Sequence, residues 1–178
     1  MIARLRQYKS FLTVIAAAGV ASTAFLLPLV SHAASFNANS RDLSTLQVSS
    51  FSEDPGCSTC WSQSISNVRP GDVVSFLFYY HNTGQNVAVG TRARLSFSYG
   101  SSVAAAVGEI VASNASPVLD TVSVIPASGF EQTLRLSFQS ARWYPNQDSV
   151  NPDPLPNGQD GSGITSGGVS LGDIKPGW

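Results

Sequence analysis

From Leu43 onward, apolar residues recur at every second position in short runs, and most runs end in a cluster of Pro, Gly or Asn. A period of two is the period of a strand with one covered face. Punctuation at such short intervals predicts a sandwich or barrel of paired strands. Leu46, Val48 and Ser50 alternate with polar neighbours and predict a first half-buried strand. Ile65 and Val68 lead into Arg69-Pro70-Gly71-Asp72, where Pro before Gly favours a type II turn. Val73 to Tyr80 (VVSFLFYY) is apolar on both alternating sets, which predicts a strand covered on both faces at the centre of a sheet. It stops at the turn signal His81-Asn82-Thr83-Gly84.

Val87 to Tyr99 alternates cleanly, with Ala93, Leu95, Phe97 and Tyr99 on one face and Arg92, Arg94, Ser96 and Ser98 on the wet one. Val103–Val111, Val118–Ile125, Glu131–Phe138 and Ile164–Ile174 predict further strands, although the alanines of Val103–Val111 also suit a helix. Between them, residues 145–163 hold Pro145, Pro152, Pro154 and Pro156 and predict a long surface loop. Six to eight strands in this length fit an immunoglobulin-like β-sandwich of about seven strands.

The first 33 residues carry a different pattern. Arg4, Arg6 and Lys9 precede an uncharged apolar run from Phe11 to Val30, and Ser31-His32-Ala33-Ala34 places small residues where a signal peptidase cuts, between Ala33 and Ala34. The expectation is a cleaved export signal over residues 1–33 and a secreted or cell-surface location. An uncleaved anchor through residues 11–30 is the alternative, since about 20 apolar residues suffice to cross a bilayer. Residues 34–42 are mostly polar and predict a flexible lead-in, and 43–178 form the sandwich. The ending Ile174-Lys175-Pro176-Gly177-Trp178 repeats the strand-then-Pro-Gly pattern of Val68-Arg69-Pro70-Gly71, which announced a new strand. It points to a chain cut short, with a strand donated by another molecule or a frayed tail as alternatives.

Removing residues 1–33 leaves 7 basic and 11 acidic side chains, scattered without a run of either sign. That excludes the clustered Lys and Arg that nucleic-acid binding demands.

Pro70-Gly71-Asp72-Val73-Val74-Ser75-Phe76, running into Tyr79-Tyr80-His81-Asn82-Thr83-Gly84, resembles the conserved Ig-like repeat of bacterial cell-surface and envelope proteins, with its PGD, apolar strand and N-T-G signature. Ser140–Asn146, Leu155–Gly158 and Gly163–Ile174 are similar to versions in secreted proteins of candidate-phyla bacteria. The resemblance implies a β-sandwich used as spacer, stalk or adhesive module, commonly in several copies, whereas this chain holds one.

Few residues invite chemistry. Cys57-Ser58-Thr59-Cys60 reads as a structural disulfide, because an exported pair oxidises and neither a βαβ redox unit nor further zinc ligands accompany it. A thiol oxidoreductase is the weaker alternative. His81 with a serine and an aspartate suggests a triad only in outline, since no G-x-S-x-G turn is present. Asp148, Asn151, Asp153, Asn157 and Asp160 lack EF-hand spacing, and their prolines argue for ordinary turns. Trp61, Trp143 and Tyr144 are candidate ligand-binding aromatics, as sugars stack on flat rings, but strand-end aromatics also cover core rims. The expectation is a protein with no catalytic residues, metal or cofactor, whose partner is another surface protein or a polysaccharide.

Overall fold

The structure, a computed structural model, describes residues 33–50, 59–100, 103–130, 134, 141–145 and 152–177. They form an all-β sandwich of seven strands: β1 Leu46–Ser50, β2 Ser64–Val68, β3 Val74–Phe78, β4 Ala88–Tyr99, β5 Ala104–Ala112, β6 Ala115–Pro126 and β7 Val169–Ile174. One sheet has the order β2-β6-β5-β4-β7, and the other pairs β1 with β3. Strands β4, β5 and β6 are successive antiparallel hairpin arms, β7 adds antiparallel to β4, and β2 joins β6 in parallel. Apart from Leu134, the predicted strand Glu131–Phe138 lies outside the described residues. The turn at Arg69–Asp72 forms as expected: the Asp72 N–H donates to the Arg69 carbonyl at 3.0 Å and Gly71 has φ 95°.

The centre of the larger sheet corrects the reading of Val73–Tyr80. The middle strand is β5, and among the described residues β3 pairs with β1 alone, in the smaller sheet. Every position of β3 is half-buried, so its doubly apolar pattern marks partial cover on both faces. The alanine-rich run takes the middle because its inward positions are Ala104, Ala106, Gly108 and Ile110, all buried. Small side chains there let the bulk come from the facing sheet. A Cβ on Gly108 would lie 2.8 Å from Cε1 of Phe78 and 3.1 Å from Cβ of Leu46. Close packing of that kind is what makes a core intolerant of one added carbon.

The core has two lobes. Leu46, Val48, Val68, Leu95, Ala104, Ala106, Val122 and Val124 form one, with Phe76 and Phe97 packed on it. Ala34, Phe36, Ala88, Ala93, Ile110, Val169, Leu171 and Ile174 form the other, and Phe78 and Ile164 touch both. Burying each large aliphatic or aromatic side chain contributes about 1.5–3 kcal/mol. In β4 the alternation expected over Val87–Tyr99 holds from Thr91 to Phe97, Tyr99 being exposed, but a bulge at Gly90 (φ 63°) shifts it before that. Ala88 is therefore buried, while Val87 and Val89 face solvent.

The lead-in is not loose, which corrects the expectation for residues 34–42. Ala34 bridges to Ala115 and Phe36 to Asn82, and both side chains are buried. The single aromatic in a polar stretch supplies the reason, since Phe36 fills the second lobe of the core.

Carboxamides finish the edges. The Asn37 side chain donates to the Tyr79 carbonyl and accepts from the His81 N–H, and Asn114 does the same for the Val87 carbonyl and Val89 N–H. Gln159 pairs with both the N–H and the carbonyl of Ser170 at 2.9 Å each. Each amide imitates one rung of a ladder and satisfies a strand edge that would otherwise be open to pairing. The long loop also holds two single 3₁₀ turns, Pro156–Gly158 and Ser162–Thr165, which begin ahead of β7 and shorten the strand expected from Ile164.

Candidate functional site

A dense polar cluster gathers where residues 34–36 and 174–177 meet the N-T-G stretch. Asn82, fully buried, donates from Nδ2 to the carbonyls of Asn86 (2.8 Å) and Ile174 (2.9 Å) and accepts at Oδ1 from the Gly84 N–H (3.1 Å). Its backbone pairs with Phe36, and its carbonyl accepts from the Gly177 N–H at 2.8 Å. A buried amide whose side chain has three partners and whose backbone holds both Phe36 and Gly177 is a clamp. Next to it, the Thr83 N–H donates to the Ser35 carbonyl at 2.7 Å and the Thr83 hydroxyl donates to the same oxygen at 3.1 Å. Gly84 then makes room: a Cβ there would fall 2.7 Å from the Ser35 nitrogen and 2.9 Å from Cα of Ala34. The three residues of the N-T-G stretch therefore have three separate jobs on one strap.

Beside the clamp, Nδ1 of His81 lies 2.7 Å from Oδ1 of Asp42, whose side chain is 6% exposed against 20% for the imidazole. The Tyr79 hydroxyl donates to the same oxygen at 3.2 Å, and the Asn39 N–H donates to Oδ2 at 2.9 Å. Burial pushes the Asp42 carboxyl up, but these hydrogen bonds and the His81 charge outweigh it and hold it below its ordinary 3.8. An ionised carboxylate only accepts, so the Nδ1 hydrogen sits on His81. Burial, the Asp42 charge and the shared hydrogen bond push the Tyr79 hydroxyl up. An Asp–His pair is two-thirds of a nucleophilic triad. Among the described residues no hydroxyl is hydrogen-bonded to the His81 ring, and Asp42 is occupied with closing the Asn39–Asp42 turn.

The aromatic residues picked out in the sequence do not stack on one another. Trp143 is half-buried, its indole N–H donates to the Tyr80 hydroxyl at 2.6 Å, and it packs on the strap's lobe of the core. Burial pushes the Tyr80 hydroxyl up, partly offset by that indole bond. Tyr144 is exposed, and Trp61 is half-buried beside Ser62, which bridges to Val48 on β1. The ring contacts among the described residues are Phe76–Phe97 and Phe97–Tyr99, so none of these three aromatics stacks with another. Cys60 is exposed, and Cys57 lies outside the described residues. Among the described residues no three His, Cys, Asp or Glu side chains gather as a metal would need. Of the Asp/Asn loop, Asp148 and Asn151 lie outside the described residues, and Asp160 accepts from the Ser162 N–H at 2.9 Å. Hydrogen bonds from Ser162 draw the Asp160 carboxyl down.

Arg92 and Arg94 stand on the wet face of β4 as expected, bonded to the Gly167 carbonyl and to Glu109 respectively. A shallow depression of about 200 Å³ lies beside them, with Val107 and Leu119 among its walls. An exposed pair of this sort contributes about 0–1 kcal/mol.

Asn82, Asn37, Asp42 and Gln159 escaped the sequence reading as individual residues. Only Asn82 carried a signal, through the N-T-G stretch. In comparisons with known proteins, no family model, no curated protein and no solved structure matches this chain.

Proposed function

We propose that this chain is a non-catalytic, extracytoplasmic surface module of the Ig-like repeat type, exported by residues 1–33 and used to present one end of a β-sandwich to another surface protein or a polysaccharide. The observation that supports it is an all-β sandwich in which the N-T-G residue Asn82 holds the segments around Phe36 and Ile174–Gly177 together. Strand β4 runs from the Asn82 end at Ala88 to Tyr99 at the other, and twelve residues of strand span about 35 Å.

The far end carries the turns at Arg69–Asp72 and Ala127–Phe130 and several exposed apolar side chains: Val73, Tyr99, Ile125 and Phe130. Cys57 and Cys60 form a disulfide in this reading and tighten the β1–β2 connection, which suits an oxidising compartment. The test is a peptide epitope inserted after Gly129, in an exposed turn of the kind that tolerates insertions. Antibody is expected to label it on intact cells of a host expressing the full chain. Labelling only after the cells are permeabilised overturns the reading.

A further inference from the structure

The fold begins at the bond that the export signal offers for cleavage. Ala33 is exposed, whereas Ala34 is 2% exposed, donates its N–H to the Asn114 carbonyl at 3.1 Å and bridges in parallel to Ala115. The next two residues are held as firmly: the Ser35 carbonyl accepts from Thr83 and Gly84, and Phe36 is 4% exposed. From these placements we infer that folding and signal cleavage compete for the same segment, so that the Ala33–Ala34 bond is cut before the sandwich closes over Ala34 to Phe36 or not at all. The inference rests on the export reading above and adds an order of events to it.

The chemistry is a hydrolysis. Water adds across the Ala33–Ala34 amide, its oxygen passes to the Ala33 carbonyl carbon, the C–N bond breaks, and Ala34 leaves as an α-ammonium. A peptidase must bind several residues on both sides of that bond in extended, accessible form, and in the folded domain Ala34 and Phe36 are buried while the Ser35 carbonyl is held by Thr83 and Gly84. Proteolysis of such a segment waits for local opening. The folded state accepts either outcome, because the chain is in solvent at Ala33 and the Ala34 nitrogen faces a carbonyl whether it is an amide or an ammonium. A slow-folding chain is thus released and a fast-folding one stays tethered.

The experiment incubates three full-length chains with a purified signal peptidase in detergent and reads the N-terminus by intact mass. The chains are the folded wild type, Gly84→Ala and Ile110→Asp. The last places an unpaired carboxylate at a fully buried position and serves as the unfolded substrate. Cleavage between Ala33 and Ala34 is expected in Ile110→Asp and at least ~100-fold more slowly in the folded wild type, as local opening limits it. Gly84→Ala, whose Cβ meets the Ser35 nitrogen, is expected to be cut faster than wild type while keeping its folded circular dichroism. If it fails to fold, Thr83→Val, which loses the hydroxyl bond to Ser35, takes its place. Equal rates for the wild type and Ile110→Asp overturn the competition and leave the export reading standing. No cut in any chain overturns the cleavable signal itself, and the competition with it.

Discussion

The two lobes of the core are held by different means. Around Leu46, Val48, Val122 and Val124 the side chains are aliphatic, fully buried and set on regular ladders. Around Phe36, Ala88 and Ile174 the lobe has as many buried apolar residues, but Asn82, Asn37, Asn114, Asp42 and His81 surround them with directed hydrogen bonds. The difference follows from the backbone. Where strands pair in register, the ladder satisfies the peptide groups and dispersion does the rest. Where the segments 34–36 and 174–177, a bulge and a hairpin turn converge, peptide groups are left over, and an unpaired buried one costs about 1–3 kcal/mol. Side-chain amides answer that need. The clamped end is therefore the one in which a single polar residue matters as much as a large hydrophobic one.

Substitution at Asn82 is the strongest way to break this contrast. Asn82→Asp sets a carboxylate oxygen against the carbonyls of Asn86 and Ile174 and is expected to destabilise the domain by about 4 kcal/mol or more, read from the urea midpoint. An effect of Asn82→Asp smaller than that of Val48→Ala in the other lobe would show that the clamp is incidental. Phe36→Ala comes next, at about 3–4 kcal/mol. It is also expected to raise amide exchange at Ala34 and Asn37 selectively, whereas a uniform rise would mean that the strap and the sandwich open together.

Gly108→Ala sharpens the comparison from the apolar side. A methyl 2.8 Å from Phe78 is expected to cost about 1–3 kcal/mol, and pairing it with Phe78→Leu should recover part of that loss.

The smallest effect is electrostatic. The Asp42 carboxyl titrates lower in the folded chain than its ordinary 3.8, so it contributes stability above that value and loses it as pH falls through the folded one. Asp42→Asn is accordingly expected to narrow the gap between stability at pH 6 and pH 3, by thermal melting. An unchanged gap would remove the Asp42–His81 pair from the set of stabilising contacts.

Much of the architecture was legible from periodicity alone. The alternation in β4 from Thr91 to Phe97, the first strand at Leu46–Ser50 and the turn at Gly71 are local patterns, because side-chain direction in a strand and the φ of a Pro-Gly turn depend on neighbours in sequence. The all-β sandwich of about seven strands follows from counting them. What periodicity could not give was the rank of the strands. Val73–Tyr80 was the greasiest run, yet β5 took the centre, because the middle of a thin sandwich needs small residues facing large ones, and that need appears only once the sheets are stacked. Phe36 looked like part of a polar tail until the slot it fills was formed by residues 50 to 140 positions away. Asn82 lay inside a visible motif, but its task depends on Ile174 and Gly177, 92 and 95 positions on. The sequence by itself determined which segments become strands and which face of most of them is covered. Only the tertiary structure decided which strand is innermost and that Phe36, Ile174 and Gly177 are tied at one asparagine, since such bonds join groups that no local pattern places together.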